Sequence, residues 1–211
     1  MSLVLLHTSP VHIPVFDALR DARHPGLDLR HRVYEDLLGR AGALGPDAVA
    51  DEVGAVIEEA FATGADAVLC TCSTLGGIAE AAGARLGRPV LRVDRPMAAE
   101  AVRARRITVL VAHPATVEPT GALLAEEAHR AGAEGAEVRT LVVEGAWDRF
   151  EAGDRDGYLD RVAAAADLVT DADVIVLAQV SMAGAADRTS TRIPVLTSPR
   201  AGLDAAAAVG H

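Results

Sequence analysis

Lysine is absent from this 211-residue chain: all 20 basic residues are arginine, set against 30 acidic ones, for a net charge of −10 at pH 7. So acidic a balance lacks the clustered cations that nucleic acid and anionic membrane surfaces demand, and neither is expected as a partner. Long apolar runs are missing too. Half of the residues are hydrophobic, yet the unbroken runs are of strand length, well short of the ~20 residues of a membrane span. No basic segment precedes LVLLH, itself too short for a signal-peptide core, so the chain reads as cytoplasmic. Cysteine occurs only at 70 and 72. A disulfide across one intervening residue is strained, so reduced thiols are expected. A metal at this C-x-C pair would need two more soft ligands, which the scattered histidines do not supply; no metal and no cofactor are expected. Aromatics are only 3% of the chain. Two of them, Trp147 and Phe150, share the segment AWDRFEAGD and are read as a cleft wall or as a contact in a homodimer or higher homo-oligomer.

What the chain does have is an internal repeat. DAVLCTCSTLGGIAE from Asp66 lies over DVIVLAQVSMAGAAD from Asp173, with Gly77 on Gly184, Ala79 on Ala186 and Glu80 on Asp187. In that register Cys72 falls on Gln179. LVLLHTSP, ending at Pro10, matches TVLVAHPAT, ending at Thr116, with His7 opposite His113; Pro89-Val90-Leu91 matches Pro194-Val195-Leu196. Three matches in one order and at nearly one spacing predict two similar lobes.

Short apolar runs at residues 3–7, 27–33, 66–71, 90–93, 107–112, 137–143, 173–178 and 195–197 read as strands. Helical patterns at 14–22, 47–63, 76–85, 97–104, 118–131, 157–170 and 200–208 alternate with them. Continuous apolar strands alternating with helices predict α/β architecture: two α/β/α lobes with mainly parallel sheets, related by a pseudo-twofold axis, with the active site in the cleft between them. Residues 1–95, with a returning C-terminal helix at 198–211, are expected to form the first lobe and residues 96–197 the second. Residues 34–46, rich in glycine, are expected to be a rim loop, and 143–154 a second loop near the site.

Ligands of such sheets sit beyond the carboxyl ends of the strands. The residues there are His7, Thr8, Ser9, Cys72, Ser73, Thr74, His113, Thr116, Gln179, Ser181, Thr197 and Ser198, a set rich in small hydroxyls and free of Lys and Arg. Such groups hold a carboxylate or an enediolate by hydrogen bonds. Cys72 is the candidate acid/base, because a helix starting just beyond it is expected to lower its thiol pKa; Cys70, two residues deeper, is read as core. His7 and His113 are candidate proton shuttles. His12 is placed at the rim, and His24, His31, His129 and His211 on the surface. Arg95 and Arg200 follow strand ends, within reach of a substrate carboxylate.

These residues resemble the aspartate/glutamate/hydantoin racemase superfamily over most of the chain. ADAVLCTCST resembles its strand leading into Cys-Asn-Thr, with Cys72, Ser73 and Thr74 in those places. ITVLVAHPATV resembles its strand leading into Thr-x-x-Thr-Val, which puts Thr116 in the second threonine place. DVIVLAQVSM resembles the strand leading into a second catalytic cysteine, where this chain has Gln179, and His7-Thr8 stand where the glutamate racemase branch has Asp-Ser. The resemblance implies a cofactor-independent, metal-free enzyme acting on the carbon next to a carboxylate, with a small carboxylate as substrate. Racemases of the superfamily use two thiols, one on each face of that carbon, and Gln179 cannot titrate. This leaves three readings. One is a racemase or epimerase in which Cys72 works with His113 or His7. Another is a single-thiol decarboxylase similar to arylmalonate decarboxylase. The third is a non-catalytic binder of a small carboxylate. In each reading Thr8, Ser9, Ser73, Thr74, Thr116, Gln179 and Ser181 are the residues expected to bind the carboxylate.

Overall fold

The computed structural model describes residues 1–209. By its contacts the chain divides into two compact units, Met1–Asp94 with the chain from Pro199 onward, and Arg95–Ser198.

The first unit is built on β1 (Ser2–His7), β2 (Asp28–Val33), β3 (Ala67–Cys70) and β4 (Val90–Arg92), all parallel and ordered β2-β1-β3-β4. The central strands β1 and β3 are buried almost throughout, as expected of strands covered on both faces. The edge strand β2 reads DLRHRV, and its charges blunt the open edge. On this sheet lie α1 (Ile13–Arg23), α2 (Glu35–Leu44), α3 (Ala50–Ala62) and α4 (Gly76–Leu86). Val4, Leu6, Val68 and Cys70 on one sheet face pack with Leu37, Val53, Ile57 and Ala79 of those helices.

The second unit repeats the plan. β5 (Arg106–Val111), β6 (Glu137–Val142), β7 (Val174–Leu177) and β8 (Val195–Thr197) form a parallel sheet ordered β6-β5-β7-β8. Met97 and Ala98 of α5 (Arg95–Ala101) and Leu123 and Leu124 of α6 (Val117–Ala131) cover Ile107, Val109, Val111 and Val176 on one face. The other face, with Leu110, Ile175 and Leu177, packs with α7 (Ala146–Glu151) and α8 (Arg155–Asp167). The last helix, α9 (Ser198–Ala208), lies so close to the end of β4 that a Cβ on Gly202 would meet the Val93 carbonyl oxygen at 2.5 Å.

The repeat in the sequence is a repeat of ladders. Asp66 accepts the Ser2 amide at 2.7 Å, and Asp173 accepts that of Arg106 at 2.9 Å, so one carboxylate caps the first amide of each central strand. Pro89 and Pro194 likewise bond to Val68 and Ile175. One pairing needs correction. Thr71 donates to the Leu6 carbonyl, and Ala178 to that of Leu110. His7 therefore corresponds to Val111, inside the strand, and His113 to Ser9, two residues further on; a shift of two preserves the apolar alternation, which is why the sequence match concealed it.

Residues 34–46 are not a loop. Glu35 and Asp36 sit in the first turn of α2, Leu37 and Ala41 bury one side of it, and Gly45 ends it at φ 88°. Its Gly39 and Gly42 weaken a helix without forbidding one once a face is buried. Within 143–154 the chain also turns helical, as α7. Among the described residues no helix is long and apolar enough to cross a membrane.

Candidate active site

In both sheets the strand order reverses between the two central strands, and such a reversal opens a crevice at the carboxyl ends of that pair. In the first unit the reversal brings Thr8, after β1, to Cys72, after β3. The hydroxyls of Thr8 and Thr74 and the backbone N–H groups of Thr74 and Leu75 lie around the Cys72 sulfur and favour its charged form. The turn that offers those amides closes through Leu75 N–H to Cys72 O at 3.2 Å and leads into α4. Contrary to the expectation from the helix start, the thiol is pushed up: Cys72 is only 9% exposed, and loss of solvation outweighs the four donors. Cys72 therefore rests as a thiol, with the donors in place to receive negative charge once the proton leaves. Cys70 is fully buried in the sheet–helix layer, and its thiol is also pushed up, first by burial and then by its neighbour Cys72.

The turn has a support that the sequence did not reveal. Arg92, at the end of β4, makes a bidentate pair with Asp94 at 2.7 and 3.0 Å, and its Nη2 donates to the Ser73 carbonyl at 3.2 Å. Both partners are buried. The guanidinium lies where a Cβ on Gly76 would stand 2.7 Å from Nε, so a larger residue at the head of α4 would displace it.

Both ring nitrogens of His7 are engaged within the first unit. Thr71 Oγ1 donates to the Leu6 carbonyl at 3.1 Å, so the 2.7 Å contact with His7 Nδ1 is a donation from the ring. His7 Nε2 then accepts from His31 Nδ1 at 2.8 Å, and His31 Nε2 lies 3.3 Å from Asp17. With both nitrogens engaged, His7 is held neutral; burial, then the charges of His12 and His31, lower its pKa to about 3. His31 thus belongs to an internal chain and not to the free surface, and His12, expected at the rim, is buried. His24 bonds Asp204 at 2.7 Å, His129 is exposed, and His211 lies outside the described residues.

The second unit places Gln179 after β7, as the sequence register requires. Its Oε1 accepts from the backbone N–H of Ala112 at 2.7 Å and of His113 at 3.1 Å. An amide nitrogen has no lone pair for two donors, so these bonds fix which arm of the amide is oxygen. His113 Nδ1 accepts from the Ala115 N–H at 3.1 Å, which leaves the ring proton on Nε2; burial lowers its pKa and keeps it neutral, against a smaller opposing effect of Glu151. Trp147 meets His113 edge-on at 4.6 Å and stacks on Phe150 at 4.7 Å, so the two aromatics buttress His113 within their own unit. Ser181 bonds the hydroxyl of the buried Tyr158 at 2.8 Å, and Thr116 is buried at the start of α6. Ser9, partly exposed, precedes the turn Pro10–His12 without capping it by its side chain. Arg95 is engaged by Glu127 and by Glu126 at 3.1 Å, and Arg200 is exposed. Among the described residues, no three His, Cys, Asp or Glu side chains are grouped to hold a metal ion.

No family model matches this sequence, and no curated protein matches it. Solved structures do. Glutamate racemase from Francisella tularensis in complex with D-glutamate superposes with a TM-score of 0.76 at 10% identity, over 99% of this chain and 80% of that one. Allantoin racemase from Pseudomonas fluorescens gives 0.69 at 20% identity, over 100% and 91%. Arylmalonate decarboxylase gives 0.61 at 18% identity, over 100% and 93%. The chain has the two-lobe α/β fold of these enzymes.

Proposed function

We propose that this protein is an enzyme that moves a proton at the carbon next to a carboxylate, with Cys72 as its acid/base group. The observation that carries the reading is the set of four donors, from Thr8, Thr74 and Leu75, aimed at one buried sulfur. A structural thiol needs no such set, whereas a thiol that gives up its proton leaves an anion that does. The fold, shared with racemases and a decarboxylase, is consistent with this chemistry and does not choose between the two.

An isomerase of the racemase or epimerase kind needs a second base. His7 has both ring nitrogens engaged, the acceptor nitrogen of His113 is taken by Ala115, and Gln179 does not titrate. One-sided protonation by Cys72 needs no partner and is the form of the reaction the geometry favours. In a decarboxylative version the C–C bond to the departing carboxylate breaks and CO2 leaves. The electron pair remains on the α-carbon as an enediolate, which takes the proton of Cys72, and the thiolate is reprotonated from water. Incubation of a panel of 2-substituted carboxylates and malonates in D2O, with and without Cys72→Ser, tests the reading. Deuterium at the α-carbon without inversion, abolished by the substitution, is the expected result. Exchange with inversion would establish a second base, and exchange that survives Cys72→Ser would remove the thiol from the chemistry.

A further inference from the structure

One peptide plane of the first unit has a cation at its carbonyl and the thiol at its N–H. The Ser73 carbonyl accepts from Arg92 Nη2 at 3.2 Å. The N–H on the other side of the same peptide is that of Thr74, which lies at the Cys72 sulfur and favours its charged form. The peptide is trans, so its C=O and N–H point in opposite directions within one plane, and a donor that fixes the carbonyl also fixes where the N–H points. Donation from a cation polarises the peptide as well and makes its N–H a stronger donor. We propose that Arg92 is a positioning residue for Cys72, holding the Ser73–Thr74 peptide so that the Thr74 N–H is aimed at the sulfur and strengthened for the anion that deprotonation leaves. The inference rests on the reading above, in that Cys72 is the group that gives up a proton.

Three hydrogen bonds hold the guanidinium. Nε donates to one oxygen of Asp94 at 2.7 Å and Nη2 to the other at 3.0 Å, so of the two hydrogens on Nη2 one goes to Asp94 and the second to Ser73. Arg92 is paired with Cys70 in the β3–β4 ladder, and the Val93 N–H bonds the Cys70 carbonyl at 2.9 Å, so the strand that carries the cation is fastened to the strand that leads to Cys72. On the helix side, a Cβ on Gly77 would stand 3.7 Å from Nη1, and the guanidinium fills the space of any side chain at Gly76. Through space, Asp94 opposes the field of the cation, and Glu80 of α4 adds a second negative charge near Arg92. A thiolate at Cys72 therefore gains little from the charge itself, and the bond through the peptide is the path by which Arg92 acts. A buried ion pair is a poor device for stability alone, which fits a cation kept for its bond to Ser73.

Two variants separate positioning from packing. Arg92→Lys keeps a charge for Asp94 but lacks the fork that reaches Ser73 as well. Arg92→Met with Asp94→Asn removes both charges, and so avoids the stranded carboxylate that Arg92→Met alone would leave. Iodoacetamide labelling of Cys72 is followed from about pH 6 to about pH 9, with fragmentation of the labelled peptide to separate Cys72 from Cys70, and thermal melts confirm that each variant is folded. The labelling curve of the double variant should move to higher pH, with labelling about tenfold slower at neutral pH, and Arg92→Lys should fall between it and the wild-type chain. In amide proton–nitrogen correlation spectra the Thr74 amide should shift in both variants by more than that of Leu75, one peptide further on. Labelling that is unchanged or faster in the double variant, as a merely loosened turn would give, or a Thr74 amide that moves no more than that of Leu75, would overturn the proposal. Arg92→Lys alone carries the same test if the double variant does not fold. None of these measurements needs turnover, so a failure of the Cys72 reading, which shows in the deuterium exchange of Cys72→Ser, is seen separately.

Discussion

The two units share one strand order and one set of capping aspartates, yet their central crevices are chemically opposite. At the end of β3, donors converge on a sulfur that can hold or release a proton. At the end of β7, the corresponding side chain is an amide fastened to the strand ends by its own oxygen. The segments after the two positions differ as well: α4 begins four residues after Cys72, whereas Gln179 leads into a 3-10 stretch, Val180–Arg188. A fold can therefore duplicate its scaffold to the level of single ladder bonds while one half presents a thiol at a strand end and the other an amide fixed by hydrogen bonds. The scaffold is specified by apolar alternation and caps, and the chemistry by a few residues beyond the strand ends, which are free to diverge.

The most demanding test of the contrast is a pair of substitutions at the equivalent positions. Cys72→Ser should lower turnover by ~10²–10⁴-fold, the usual worth of a positioned acid or base, with little loss of stability because one atom is exchanged. Gln179→Met should leave kcat far less changed, since the amide does not titrate, and should act on stability through the lost bonds to the Ala112 and His113 amides. Steady-state kinetics on a substrate from the deuterium screen decides. A fall in kcat at Gln179 as large as that at Cys72 would make the two crevices chemically alike.

The next effect is on stability. Arg92→Met removes one partner of a buried ion pair and leaves Asp94 charged and unpaired, at a cost of ~3–5 kcal/mol. Because Nη2 also holds the Ser73 carbonyl, the variant should slow iodoacetamide labelling of Cys72 less than it lowers stability if the turn is held mainly by its own amides, and more if Arg92 sets it. Urea unfolding and peptide mapping supply the two numbers.

A pH dependence should arise from His7. Its folded pKa of about 3 lies below the 6.5 of the unfolded side chain, so between those values the unfolded chain binds the extra proton. Stability is then full above pH 6.5 and falls as pH drops toward 3, by on the order of a few kcal/mol if His7 acts alone. Urea unfolding between pH 7 and 4, with His7→Gln as control, measures it, and a variant with the same slope as the wild-type chain would assign the loss to other groups. The Cys72 thiol acts in the opposite sense. Held above its ordinary range by burial, it should cost stability as pH rises through the usual thiol titration.

The strands and the Cys72–Gln179 correspondence were legible in the sequence because each depends on local signals: continuous apolar runs, and an aspartate at a fixed distance before each position. Helix α2 was not, because two interior glycines hid a face that only tertiary burial makes worthwhile. The state of His7 was not, because its partners lie 64 and 24 residues away, and no local pattern reports that both ring nitrogens are taken. Arg92, inside the run read as a strand at 90–93, and Asp94 just beyond it belong to no motif that marks a buried ion pair. Only the absence of a Cβ at Gly76, which makes room for a guanidinium, would have pointed to them. Ser181 was read as one more hydroxyl of a ligand cluster because its partner, Tyr158, sits on a helix 23 residues earlier.

That last pair gives the smallest effect and the sharpest distinction between the units. Thr8 and Thr74 spend their hydroxyls on the sulfur, so Thr8→Val should change the pH dependence of Cys72 labelling, moving its midpoint upward as a thiolate donor is lost. The Ser181 hydroxyl is spent instead on a buried phenol, which it helps to satisfy. Ser181→Ala should cost ~1–3 kcal/mol, because the Tyr158 hydroxyl is left unpaired, whereas the double variant with Tyr158→Phe should recover part of that loss. A double-mutant cycle by urea unfolding measures the coupling, and labelling of Cys72 should be the same in all four proteins. A coupling near zero would free Ser181 for a ligand. A coupling of about 1 kcal/mol would confirm that the hydroxyls of the second unit hold structure, while those of the first hold charge.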